Sequence, residues 1–78
     1  RIKVTRWDAN FLISLPLHDS QHVVENNDDY TIFEYKLAPT YDFIMELRKY
    51  GSRLEVLAPQ SLREEFAEEA RQLSKLYL

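Results

Sequence analysis

The apolar positions of this chain change period from segment to segment, and the changes mark its elements. In "RIKVTRW", Ile2 and Val4 point one way and Lys3 and Thr5 the other, the period of a strand. In "DANFLISLP" the period lengthens. Asp8 can cap a short helix carrying Phe11, Leu12 and Leu15, and Pro16 stops it, although these residues also fit an extended run. "QHVVEN" and "YTIFEYKL" are two β-rich runs parted by "NDD", the signal of a hairpin. In the second run Thr31, Phe33, Tyr35 and Leu37 share one face, with Glu34 and Lys36 on the other.

"APTYDFIMELRKYG" is a helix marked at both ends. Thr40 is its N-cap, Asp42 lies in the first turn, and Phe43, Leu47 and Tyr50 form an apolar stripe. Arg48 and Lys49 fill the last turn, and Gly51, the only glycine of the chain, takes the left-handed position that ends the helix. "RLEVLAP" is a strand with Leu54 and Val56 on one face. "SLREEFAEEARQLSKLYL" is the most regular helix. Ser61 and Glu64 read as a capping box, Leu62, Phe66, Ala70, Leu73 and Tyr77 make one stripe, and Glu64, Glu65, Glu68 and Glu69 cover a solvated face. The order β-α-β-β-α-β plus a terminal helix predicts one α+β domain over residues 1–78, a ferredoxin-like sandwich with an added C-terminal helix.

Composition narrows what such a domain can do. With 45% hydrophobic and 29% charged residues the chain is neither disordered nor membrane-embedded. The absence of cysteine removes disulfide and thiolate–zinc frameworks, and with no signal-peptide pattern it fits a cytoplasmic setting. A net charge of −3 argues against a general nucleic-acid binder, which needs a basic surface. A chain that opens at Arg1 inside a strand is expected to be a piece of a longer protein.

The chemistry-bearing residues form no familiar catalytic pattern. His18 and His22 stand four apart with Asp19 between, but the second histidine opens a strand and no third ligand accompanies them, so no metal site is expected. The glutamates lie on a helix surface and no serine sits in a nucleophile elbow, so neither an enzyme nor a cofactor is expected. "YTIFEYKL" has aromatics without the glycine and basic residue of an RNA-stacking strand. Phe33, Tyr35, Phe43 and Phe66 are assigned to the core, whereas Arg6, Trp7, Tyr30 and Tyr77 have no evident place.

Together "PLHDSQ", the alternating "F-x-Y-x-L" followed by "PT", a helix ending in "KYG", then "LEVLAP" and "LREE" resemble the C-terminal extension, or WCX region, of WYL-domain transcriptional regulators. The resemblance spans nearly the whole chain. It implies a bacterial, cytoplasmic and usually dimeric regulator with a winged helix-turn-helix for DNA, a central WYL domain and this domain at the end. The WYL signature and the DNA-reading helix are not in this chain: Trp7 is not followed by Tyr-Leu. The implied role is non-catalytic. It lies in dimer contacts with a second protomer, in contact with the parent's WYL domain, and in relaying or completing an effector site, with nucleotides or single-stranded nucleic acid among the effectors. The candidate contacts lie at element ends: His18 and Gln21 offer neutral hydrogen-bonding groups, and Arg6, Arg48 and Arg53 can hold an anionic effector or a partner's acids. The competing expectation is a module that binds a ligand or single-stranded nucleic acid alone, through a basic and aromatic open sheet face.

Overall fold

The computed structural model describes every residue from Arg1 to Leu78. Its elements are β1 (Ile2–Thr5), α1 (Arg6–Ser14), β2 (His22–Asn26), β3 (Tyr30–Glu34), α2 (Tyr41–Arg48), β4 (Leu54–Val56) and α3 (Gln60–Leu76), with a 3-10 turn at Gly51–Arg53 before β4. The strands form one antiparallel sheet in the order β2-β3-β1-β4. This is the ferredoxin-like α+β arrangement predicted from the order of elements, with α3 added.

Strand alternation builds the core. Ile2 and Val4 of β1, Thr31 and Phe33 of β3, and Leu54 and Val56 of β4 are buried on one face, against Ala9 and Leu12 of α1, Leu47 of α2 and Leu62 of α3. The register places Ile2 between Phe33 and Val56, and Val4 between Thr31 and Leu54. Phe43, Ile44, Tyr50 and Phe66 pack partly buried around this centre. The alternate residues, among them Lys3, Tyr30, Ile32, Glu34 and Glu55, lie on the open face.

Several boundaries differ from the sequence expectations. β1 stops at Thr5, and Arg6 and Trp7 belong to α1. The N-cap of α1 is Thr5 rather than Asp8. The Thr5 hydroxyl accepts from the Asp8 N–H at 3.2 Å, the bond of an N-cap, and donates its own proton to the Asp8 carboxylate at 2.8 Å. The helix ends at Ser14, since the residue before Pro16 avoids helical backbone. β3 ends at Glu34, so Tyr35 and Leu37 lie beyond the strand, yet Tyr35 still packs on the core and meets Phe43 edge-on at 5.1 Å.

Thr40 caps α2 as expected, accepting from the Phe43 N–H at 3.3 Å. Lys49 is the C-cap, Tyr50 continues in a right-handed conformation, and Gly51 then turns to a φ of 56°. A Cβ at Gly51 would meet nothing within 4 Å, so torsion alone selects glycine here. Ser61 is not the cap of α3. The helix starts at Gln60 after an N-cap at Pro59, whose carbonyl accepts from the Arg63 N–H at 3.0 Å. Proline fills that position without a side-chain acceptor, and Ser61 lies inside the first turn. The Ala58–Pro59 peptide is cis.

Candidate functional site

The five candidate side chains are divided between the two ends of the sheet. Thr5 pairs with Tyr30 at one end of the β1–β3 ladder and Ile2 with Phe33 at the other. Arg6 and Arg53 lie at the first end, beside the hairpin turn and the start of β4. His18 and Gln21 lie at the second end, where α1 runs into β2. Arg48 stands apart, at the C-terminal turn of α2 facing α3.

At the second end the "HDSQ" residues are fasteners. Gln21 donates through Nε2 to the Leu12 carbonyl at 2.7 Å, and its Oε1 accepts from the Leu17 N–H at 3.2 Å and the Tyr35 hydroxyl at 2.6 Å. It joins the end of α1, the following loop and the chain leaving β3. Ser20 Oγ accepts from the Lys36 N–H at 2.9 Å, which leaves its hydroxyl proton for His18 Nδ1 at 2.8 Å; the Ser20 N–H also points there, at 3.1 Å. Both bonds make Nδ1 the acceptor, so the ring proton lies on the outward Nε2. Burial, then the neighbouring Tyr50, raises the pKa of the Tyr35 hydroxyl, which keeps it a proton donor at neutral pH. The motif in "PLHDSQ" therefore has a structural cause, one hidden in the sequence because its partners lie up to sixteen residues away.

At the first end a buried carboxylate sets the direction of an exposed arginine. Asp8 is only 2% exposed. It takes the Thr5 hydroxyl and, at 2.9 Å, Nε of Arg53, whose head lies largely in solvent. This leaves the terminal nitrogens of Arg53 available. Beside it a depression of about 330 Å³ is lined by Lys3, Thr5, Asp29, Tyr30, Ser52 and Glu55. Lys3 sits over the Tyr30 ring at 4.5 Å, and Arg6 donates from Nη1 to the Asn27 carbonyl at 2.9 Å. Asp8 was read from the sequence only as a cap; its second role depends on Arg53, 45 residues on.

Arg48 belongs to a third place. Its Nε is 2.7 Å from Glu69 Oε2, an ion pair by distance although the buried Nε is poorly aligned for a hydrogen bond. Its guanidinium lies 5.5 Å from the Phe66 ring centre. Together these contacts hold α3 against the end of α2. Arg63 completes the attachment, donating from Nη1 to Glu55 at 2.7 Å and to the Val56 carbonyl at 2.8 Å, which occupies an acceptor of the β4 edge strand.

Beyond those clamps the apolar stripe of α3 has no cover. Leu62 is buried and Phe66 half-buried, but Leu73 is 52% and Tyr77 86% exposed. A groove of about 600 Å³ runs between this stripe and a second wall that includes Leu47, Leu54 and Val56. A smaller apolar patch lies on α1, where Trp7 and Phe11 stack edge-on at 4.9 Å, both more than half exposed. The open sheet face carries three carboxylates, those of Glu25, Glu34 and Glu55. Glu34 is engaged by Arg1 at 2.8 Å, a bond that holds its carboxyl below the usual carboxylate range.

No helix is long and apolar enough to cross a membrane. The family model of the WCX domain matches residues 1–74. No curated protein and no solved structure matches the chain.

Proposed function

The chain belongs to the WCX domain family, and from that premise we propose that it is a non-catalytic regulatory and interaction domain of a bacterial, cytoplasmic transcriptional regulator. It contributes to dimerisation and to effector sensing or signal relay. Its partners are the WYL domain of the same regulator and a second protomer, and DNA is read by a separate N-terminal domain. The observation that carries this reading is the uncovered stripe of α3 and the groove beside it. Contiguous exposed apolar surface on a small domain marks a contact with another macromolecule. Two of the candidate polar residues, Gln21 and Arg48, are by contrast spent within the fold.

Effector contact falls to the Arg6–Arg53 end. Arg53 is held by Asp8 through Nε, so its terminal pair can receive a carboxylate or phosphate with little loss of side-chain freedom. The competing reading, a module that binds a ligand or single-stranded nucleic acid alone, draws on the same depression with Lys3 and Tyr30. The three carboxylates of the open sheet face weigh against it.

Sedimentation of the chain, alone and mixed with the remainder of its regulator, tests the proposal. Co-sedimentation with the remainder is expected. A chain that ignores the rest of the regulator, but whose Trp7 fluorescence responds to a nucleotide or a short single strand, overturns the proposal in favour of the competing module.

A further inference from the structure

The depression beside Arg53 carries charge of both signs. We infer that it is a binding site for a small zwitterion, a free amino acid, whose carboxylate is taken by Arg53 and whose ammonium group is taken by Asp29. The inference rests on the reading of the Arg6–Arg53 end as the effector contact, and it names the class of effector.

Topology fixes where the two poles lie. Val4 pairs with Leu54 on one side of β1, and Thr5 pairs with Tyr30 on the other. Continuing the antiparallel ladder by one residue brings Arg53 alongside Thr5. Asp29 lies one residue before Tyr30, where its carbonyl accepts from the Arg6 N–H at 3.3 Å. Thr5 therefore stands between an arginine on the β4 side and a carboxylate on the β3 side. All three line the same depression of about 330 Å³, a volume that suits a small molecule.

The charges already engaged inside the fold show what is left for a ligand. Arg53 is balanced by the buried Asp8, which holds Nε at 2.9 Å and leaves the terminal nitrogens without a partner. Glu55 is balanced by Arg63 at 2.7 Å. One cation and one acid of the lining then remain without an ion pair. The cation is Lys3, whose ammonium lies over the Tyr30 ring at 4.5 Å, and the acid is Asp29. A lining with both signs and no net charge is complementary to a ligand that also has both. The Arg53 fork matches a carboxylate in shape, with Lys3 and the Ser52 hydroxyl as further donors. Asp29 accepts from the ammonium. A phosphate would instead bring up to about two negative charges beside Asp29 and Glu55, against a single unneutralised cation.

Titration of the isotopically labelled chain with each of the common free amino acids, followed through backbone amide NMR shifts, tests the site. At least one amino acid is expected to shift the amides of Lys3, Thr5, Tyr30 and Arg53 saturably and to leave those of α3 in place. The same compound lacking its amine, or with its carboxylate amidated, should bind roughly tenfold more weakly or worse. Arg53→Lys keeps a cation for Asp8 but removes the fork, and should weaken binding to a similar degree. Asp29→Asn, at an exposed position, acts in opposite directions on the two ligand classes. It weakens an amino acid, whereas it strengthens inorganic phosphate or a nucleoside monophosphate by removing a repelling charge. Circular dichroism confirms that each variant is folded. Phosphate or the nucleotide bound at Arg53, tighter in Asp29→Asn and with no response to any amino acid, overturns the zwitterion while the effector reading of this end stands. No saturable response to any of these compounds overturns the zwitterion and the effector reading of this end together. Co-sedimentation with the rest of the regulator then decides the broader regulatory reading separately.

Discussion

Helix α1 is short and has a mixed sequence, yet it buries Ala9 and Leu12 almost completely and sinks Asp8 beneath Arg53. Helix α3 is nearly twice as long and has the cleaner apolar stripe, yet only Leu62 is buried. The difference lies in what each helix is given to pack on. α1 follows β1 directly and crosses the helix-covered face of the sheet, so its neighbours are fixed by topology. α3 follows an edge strand three residues long and touches the domain only through its first turns and the Arg48 and Arg63 clamps. Amphipathic spacing states that a face must be covered; it does not state by what.

The comparison is sharpest where burial is deepest. Phe33 is 1% exposed at the centre of the sheet, and Phe33→Ala is expected to cost about 3–5 kcal/mol. Folded domains are stable by only about 5–15 kcal/mol, and one this small sits toward the lower end, so much of the population should unfold. Urea unfolding followed by circular dichroism measures the loss. Retention of wild-type stability would show that the sheet is not the structural centre.

A smaller loss is expected at Gln21, which fastens α1 to the chain beyond β3. Gln21→Ala strips the partners from the Leu12 carbonyl and the Tyr35 hydroxyl, and each partly buried group left unmade costs about 1–3 kcal/mol. Amide hydrogen exchange should rise first at the C-terminal turn of α1 and leave α3 unchanged. Equal effects on both helices would erase the distinction between them.

Alkaline pH probes the same junction more gently. Burial raises the Tyr35 hydroxyl above its ordinary value, and burial with the nearby Asp8 does the same for Tyr50. The folded state therefore holds these protons to higher pH than the unfolded chain, whose tyrosines titrate near pH ~10. The stabilising contribution is complete below that pH and is lost as pH rises above it. The melting temperature should fall between pH ~9 and ~11, and Tyr35→Phe should flatten part of that fall, leaving the share due to Tyr50. An unchanged slope in Tyr35→Phe would remove Tyr35 from the cause.

The degree to which the sequence could be read follows the same division between local and distant causes. The alternation of Ile2 and Val4, the cap at Thr40 and the positive torsion at Gly51 are local requirements, and each was readable from a few neighbours. Thr5 and Asp8 are both good caps three residues apart, and local pattern could not choose between them. The pairing of Asp8 with Arg53, and the grip of Gln21 on Leu12 and Tyr35, join segments that only the fold brings together. Two of the five candidate contacts, Gln21 and Arg48, are thereby engaged inside the domain, while Arg53 keeps its terminal nitrogens free. The sequence signal for Gln21 was the "HDSQ" run itself, whose polar residues precede a strand without capping any helix.

The smallest expected effect lies on α3. In the monomer Leu73 is more than half exposed, so Leu73→Ala removes little buried surface and should change unfolding free energy by less than about 0.5 kcal/mol. The chain should behave otherwise at concentrations where two copies meet, because association through the uncovered stripe of α3 buries the same side chain. Melting measured over a range of protein concentrations separates the cases. A wild-type midpoint that rises with concentration, beside a Leu73→Ala midpoint that rises less, means that α3 is completed by association. Coincident, concentration-independent curves would mean that α3 is stable with its stripe in water. The contrast with α1 would then arise from chain topology alone, with no partner needed to explain it.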